Sequence, residues 1–241
     1  MRNISKRRIS AIFRKELHEY RRNGNIVYAM FVLPLVFLVQ PVVQVFTLST
    51  SATTGLRHEH SLLYLLAIPA LVPAALASYS LVGERLQGTL EPVLSTPVRR
   101  EELMLGKALA AFVPAVAVSY FVFGLFVGIV ELFAHPGIAP ALVQTPEVIA
   151  QVVFTPFLAI WSIWIGIAVS ARTRDPRTAA QLSILVSLPI AAVTSLVAFG
   201  VVPATLPIAA AFGAGLVVLN RLGLLLVSAT FDRERLITST R

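Results

Sequence analysis

GERLQGTLEPVLSTPVRREELMLGK, residues 83–107, is the stretch whose reading decides the fold. It lies between two long apolar runs. It holds four acids (Glu84, Glu91, Glu101, Glu102) and four bases (Arg85, Arg99, Arg100, Lys107). A connection between two packed helices needs only a few residues. This one has twenty-five, helix-forming in composition, with Pro92 and Pro97 inside it. The segment predicts a small folded element at a surface.

The surface is defined by what flanks the stretch. The 241-residue chain is 56 % hydrophobic and 13 % charged, with a mean hydropathy of +0.80. A soluble domain of this length cannot hide so much apolar surface, so lipid is the expected solvent. The absence of cysteine excludes a disulfide framework and thiolate metal or redox chemistry. The first apolar run follows eight bases and is too long for the core of a cleaved signal sequence.

Outward from the central stretch, residues 62–82 and 108–130 predict two membrane spans. About twenty apolar residues cross the hydrocarbon. Pro69 and Pro73 are expected to kink the earlier span. Gly124 and Gly128 in the later one form a small-xxx-small pair suited to close helix packing. Residues 26–46 and 148–171 give two more spans. Residues 178–220 are uncharged, and as one helix they would be about 65 Å long, twice the membrane core. Gly200, Pro203 and Pro207 divide them into spans at 180–199 and 206–228. The expected fold is therefore all-α: a six-helix transmembrane domain over 26–230, with a basic segment 1–25 before it and a charged tail 231–241 after it. In the first segment Ile9, Ile12, Phe13, Leu17 and Tyr20 recur at helical spacing against a basic face, which predicts an amphipathic interfacial helix.

Six spans put both termini on one side. Eighteen of the twenty bases then fall on that side, in the N-terminal segment, the 83–107 loop, the 172–177 turn and the tail. Arg57 is on the other side and Arg221 lies within the last span, from which it can snorkel. The positive-inside rule makes the basic side cytoplasmic and implies a multi-pass plasma-membrane protein. The net charge of +8 is thus explained by topology, and nucleic acid is not an expected partner.

Much chemistry is missing. No G-x-x-x-x-G-K-[ST] loop occurs, so no phosphate cradle is expected. No H-E-x-x-H occurs, and His58-Glu59-His60 has no recognised zinc spacing, so no metal site or catalytic residue is predicted. The spans hold no acid near their middle, which disfavours the main alternative, an ion-driven carrier or channel.

The order of residues in the central stretch carries a resemblance. Glu84-Arg85, Gly88-Thr89-Leu90-Glu91, Leu94, Thr96-Pro97-Val98 and Gly106-Lys107 resemble the permease subunits of type-2 ATP-binding-cassette (ABC) exporters. That family reads roughly Glu-Arg-x-x-Gly-Thr-Leu-Glu-x-Leu-Leu-x-Thr-Pro-Val, with Gly-Lys about eight residues later. Leu86, often charged in the family, and Pro92, directly after Glu91, depart from it. The resemblance implies that the loop is a coupling helix seated on a separate ATPase subunit. Its contact residues would be Glu84, Arg85, Gly88, Thr89, Leu90, Glu91, Leu94, Thr96 and Pro97. Thr96 and Pro97 would cap and begin the next helix. Arg172, Arg174, Asp175 and Arg177 would make a second, smaller contact. It further implies export, pairing with an identical or related permease half, and ATP and Mg bound only on the ATPase. No substrate-binding residue is readable.

The topology is testable because the chain has no cysteine. Single cysteines within 83–107 and 172–177 should label only from the cytoplasm, and those near 55–60 and 136–146 only from outside. External labelling at position 87 in intact cells would overturn the arrangement.

Overall fold

The computed structural model describes residues 5–47, 60–86, 88, 99–134 and 139–230. Among them there are nine helices and no strand. They are α1 (Lys6–Arg22), α2 (Gly24–Thr47), α3 (Ser61–Tyr64), α4 (Ala67–Leu86), α5 (Arg100–Phe133), α6 (Ala139–Leu142), α7 (Thr145–Arg172), α8 (Pro176–Ala198) and α9 (Leu206–Thr230). Six of these are long and apolar enough to cross a membrane: α2, α4 with the turn before it, α5, α7, α8 and α9. The chain is an all-α polytopic membrane protein.

The helices obey the sequence but overrun it. α5 begins at Arg100 and α7 at Thr145, upstream of the apolar runs, because the flanking acids suit a first helical turn. The second span is interrupted at Leu65–Leu66, between α3 and α4, before either proline. Pro69 falls in the first turn of α4, where a missing N–H leaves no bond unmade. Pro73 lies inside the helix.

α4 is the central post. Its residues from Ala67 to Ser78 are all buried, packed by α7, α8, α2 and α5. It is rich in Ala and Ser, and small side chains let neighbouring backbones approach when lipid supplies no hydrophobic drive. The closest approach is by α7. A Cβ on Gly166 would lie 2.6 Å from the Ala74 carbonyl oxygen and 2.7 Å from the Ala77 Cβ. Hydroxyls stitch the same seam. Ser162 donates to the Ala70 carbonyl, and the Ser170 Oγ accepts from Leu81 N–H (3.0 Å) and Val82 N–H (3.1 Å).

The Gly124/Gly128 pair is not packed by the described helices: a Cβ at either would meet open space. At the end of the bundle away from the basic residues, His60 Nδ1 lies 2.8 Å from Glu147 Oε1, and the His60 N–H donates to the Ala198 carbonyl at 3.0 Å. Glu147, buried at the start of α7, is thereby tied to the start of α3, and His60 in turn ties α3 to the end of α8.

The α4–α7 seam makes a sharp prediction. Gly166→Ala must push backbone against backbone, so it should lower the melting temperature of the purified protein by an amount equivalent to about 1–3 kcal/mol. Gly128→Ala should be neutral or slightly stabilising, since a helical Gly is disfavoured by roughly 1 kcal/mol against Ala. Equal effects at the two positions would mean that the seam is not closely packed.

Candidate coupling site

The last turn of α4, the first turns of α5 and the whole of α1 meet at the basic end of the bundle. Their meeting point is set by Gly106. A Cβ there would fall 2.6 Å from Ile12 Cγ2 and 2.7 Å from Ile12 Cβ, so α1 crosses directly over it. This crossing brings Glu16 above Lys107, the next residue of α5. Lys107 Nζ donates to Glu16 Oε1 (2.7 Å) and to the Ser80 carbonyl (2.8 Å), and lies 3.1 Å from Glu84 Oε2. Two of the ammonium's three donors are thus bonded, and the Glu84 carboxylate adds a close charge contact. Lys107 is 0 % exposed, Glu16 1 % and Glu84 2 %. Lys15, half-exposed, reaches Glu84 Oε1 at 2.6 Å and Glu19 at 3.3 Å.

The electrostatics follow from this burial. Desolvation pushes the Glu16 carboxyl above the usual range, against the pull of the Lys107 ammonium. Burial also raises the Tyr20 hydroxyl well above its ordinary value, with Glu16 adding to it. Burial draws Lys15 down, but the hydrogen bond and charge of Glu84 outweigh it and hold Lys15 above the usual lysine value.

Glu102 fixes the other end of the crossing. Its carboxylate is fully buried and accepts from the Ser5 N–H (2.8 Å) and the Arg99 N–H (3.1 Å), with Arg8 Nη1 at 3.3 Å. Ser5 and Arg99 are the N-cap residues of α1 and α5. One side chain therefore satisfies the starts of two helices.

Arg85 joins this junction to α7. Its guanidinium donates to the carbonyls of Thr173 (2.9 Å) and Ala171 (3.2 Å), at the helix end where carbonyls lack intrahelical partners. The turn that follows is held by Asp175. Its Oδ2 accepts from Thr178 N–H (2.8 Å) and Oγ1 (2.9 Å), capping α8, with Pro176 at the first helical position. The backbone hydrogen bond from Thr178 keeps the Asp175 carboxyl below its ordinary range.

The residues singled out in the sequence thus divide. Glu84 and Arg85, expected to face a soluble partner, turn inward to α1, α5 and α7. Burial of their charges is possible because each has a complementary group there. Asp175 caps a helix, while Arg172, Arg174 and Arg177 are exposed. Gly88 is exposed and has φ +65°, a left-handed turn residue whose N–H donates to the Arg85 carbonyl. A Cβ there would meet nothing, so the glycine serves the turn and not a close approach. Thr89, Leu90, Glu91, Leu94, Thr96 and Pro97 lie outside the described residues. The cap of α5 is Arg99, not Thr96, and its first residue is Arg100, not Pro97. The sequence reading missed Glu16, Lys107, Ser80 and Glu102. One signal was present: Glu16 falls within the apolar stripe of Ile9, Ile12, Phe13, Leu17 and Tyr20, where a surface acid does not belong.

With this geometry in view, the family can be stated. The family model for ABC-2 family transporter proteins matches residues 10–221, from within α1 to within α9. The chain belongs to that family and is a membrane permease of an ABC transporter. No curated protein matches it.

Removing one partner from the buried cluster should be far more damaging than removing a neutral set. Lys107→Met leaves Glu16 and Glu84 facing each other and should destabilise by about 3–5 kcal/mol. Glu16→Leu combined with Lys107→Met keeps the Lys15–Glu84 pair and should recover more than half of that loss. Lys15→Ala, at a half-exposed site, should matter by less than about 1 kcal/mol. Thermal unfolding of the three purified variants is the measurement. An unchanged midpoint for Lys107→Met would show that the cluster contributes nothing.

Proposed function

We propose that the chain is one half of a dimeric export permease, driven by a separate ATPase subunit that seats on the 83–107 loop. The loop lies on the cytoplasmic face, and both termini share that side. Family membership supports a membrane permease. The observation that carries the coupling role is the mounting of the loop. It leaves α4 through Glu84, Arg85 and the Gly88 turn and enters α5 through Arg99. Buried ionic groups hold both ends, with α1 and the end of α7 tied in. A load applied to such a loop is delivered to four helices at once. ATP and Mg belong to the ATPase, since this chain has no phosphate-binding loop of its own. Arg85 bonds to the Ala171 and Thr173 carbonyls, so the turn carrying the exposed Arg172, Arg174 and Arg177 is joined to the root of the loop, which suits a second contact for the same subunit.

The direct contacts in this reading are Thr89, Leu90, Glu91, Leu94, Thr96 and Pro97, with the exposed Gly88 setting the turn. Glu84 and Arg85 act behind them, by holding the loop's root.

The test uses two variants and one control. Gly88→Val forces a β-branched residue into a left-handed turn, and Glu91→Lys reverses a charge at the contact. Loss of a buried charged contact costs about 2–5 kcal/mol. Both variants should insert and fold, yet lose co-purification with the ATPase or lose ATP-driven transport in vesicles. Ser10→Ala, on exposed α1, should keep both. The purified chain alone should not hydrolyse ATP. Full assembly and full transport by both loop variants would reduce the loop to a solvated hairpin and end this reading.

A further inference from the structure

α1 has a second face that the coupling junction does not use. Arg7, Arg14 and Arg21 follow one another at seven-residue spacing, so they fall within about 40° of one another around the helix. His18 and Arg22 flank them, and all five side chains are exposed. The acids of α1 lie elsewhere: Glu16 faces Lys107, and Glu19 pairs with Lys15. None of the five makes an ion pair with a described residue. The stripe is a row of arginines, with His18 beside it, on the side of α1 turned away from the bundle.

Its depth can be read from the helix it crosses. Ser5 bonds to Glu102, Ile12 lies over Gly106, and Glu16 bonds to Lys107. From Ser5 to Glu16, α1 advances about 16 Å, while the partners advance only about 8 Å along α5. α1 therefore lies obliquely, closer to the membrane plane than to its normal, with its C-terminal half deeper. Lys107 immediately precedes Ala108, where the uncharged run of α5 begins. Arg22 is separated from α2 by Asn23 alone, and the apolar run of α2 opens at Ile26. Arg14, His18, Arg21 and Arg22 thus stand at the level where two spans enter hydrocarbon. Phosphate groups of the lipid occupy that level, whereas a soluble subunit would approach from farther out.

We propose that this outward face of α1 binds anionic phospholipid headgroups in the leaflet at the basic end of the bundle. Lys107, Glu16, Glu84 and Glu102 hold the helix in place, and the arginine stripe reads the charge of the surrounding lipid. A basic surface segment gains roughly one factor of five in affinity per cation near an anionic leaflet. The proposal stands independently of what drives transport.

The full-length chain, purified in detergent, is mixed with equal amounts of phosphatidylglycerol and phosphatidylcholine, and retained lipids are counted by native mass spectrometry. The wild type should retain phosphatidylglycerol over phosphatidylcholine by at least about tenfold, less at high salt. Arg7→Gln/Arg14→Gln/Arg21→Gln should reduce the preference to about twofold or lower, and the corresponding triple Lys variant should keep it. A second measurement leaves the arginines intact. A fluorophore on Ala11→Cys, an exposed position of the same face, should be quenched more by nitroxide-headgroup phosphatidylglycerol than by its phosphatidylcholine counterpart in otherwise identical vesicles. Absence of lipid preference in the wild type, an unchanged preference in the Gln variant, or equal quenching by the two lipids would overturn the proposal. A Gln variant that keeps its lipid preference but loses an acidic protein partner would also overturn it, and would assign the stripe to that partner.

Discussion

A fully buried ammonium is the constraint on which the basic end of this molecule depends. Removing a charge from water is expensive, and the expense is offset only when the geometry around it is complete. Around Lys107 stand two carboxylates of opposite charge and one backbone carbonyl, contributed by α1 and α4. Lys15 balances the second carboxylate. An apolar cluster of the same volume would hold the helices about as well. It would not fix where α1 crosses. Glu16 has to stand over Lys107, and Gly106 has to be bare for Ile12 to pass; together these admit one register.

From that register the rest of the junction follows. With α1 set, Ser5 comes to Glu102, and the starts of α1 and α5 share one carboxylate. With Glu84 set, the last turn of α4 is oriented so that Arg85 reaches the end of α7. Four helices are then joined within two or three turns of one another, and the 83–107 loop springs from between them. The loop's roots cannot shift relative to α1 without exposing an unpaired charge to an apolar interior. Stiffness at this level is therefore a consequence of electrostatics and not of tight hydrocarbon packing alone.

The six spans were legible because lipid imposes a length and a composition on every one of them, and both are local properties of sequence. The Arg-rich turn and the break near Gly200 were legible for the same reason. The junction was not. Glu16 and Lys107 are 91 residues apart, and Lys15 and Glu84 are 69 apart. No local periodicity reports such pairs. Arg85, expected at a partner surface, bonds to the end of α7, since open helix-end carbonyls attract a guanidinium as well as a partner protein does. Gly124 and Gly128 meet no described helix closely. A small-xxx-small pair states that close packing is permitted, and only the neighbour decides whether it occurs. Gly166 has such a neighbour in α4, although its spacing announced nothing.

The burial of α4 also limits how a second permease half can be arranged. Its side chains from Ala67 to Ser78 are covered by α2, α5, α7 and α8, and both of its ends are tied. One end is held by Lys107 and Arg85. At the other, the turn before it is held through His60, which meets Glu147 of α7 and the last carbonyl of α8. A partner half cannot reach this post without dismantling the chain. The apolar surface left open belongs to α2, α5, α8 and α9, where residues such as Phe31, Phe121, Leu185 and Leu225 are exposed. In the proposed dimer, lipid and the second half would share that surface. With α4 covered by its neighbours, a rearrangement in such a dimer would move the outer helices around it, and the junction at its basic end is where that movement would meet the loop.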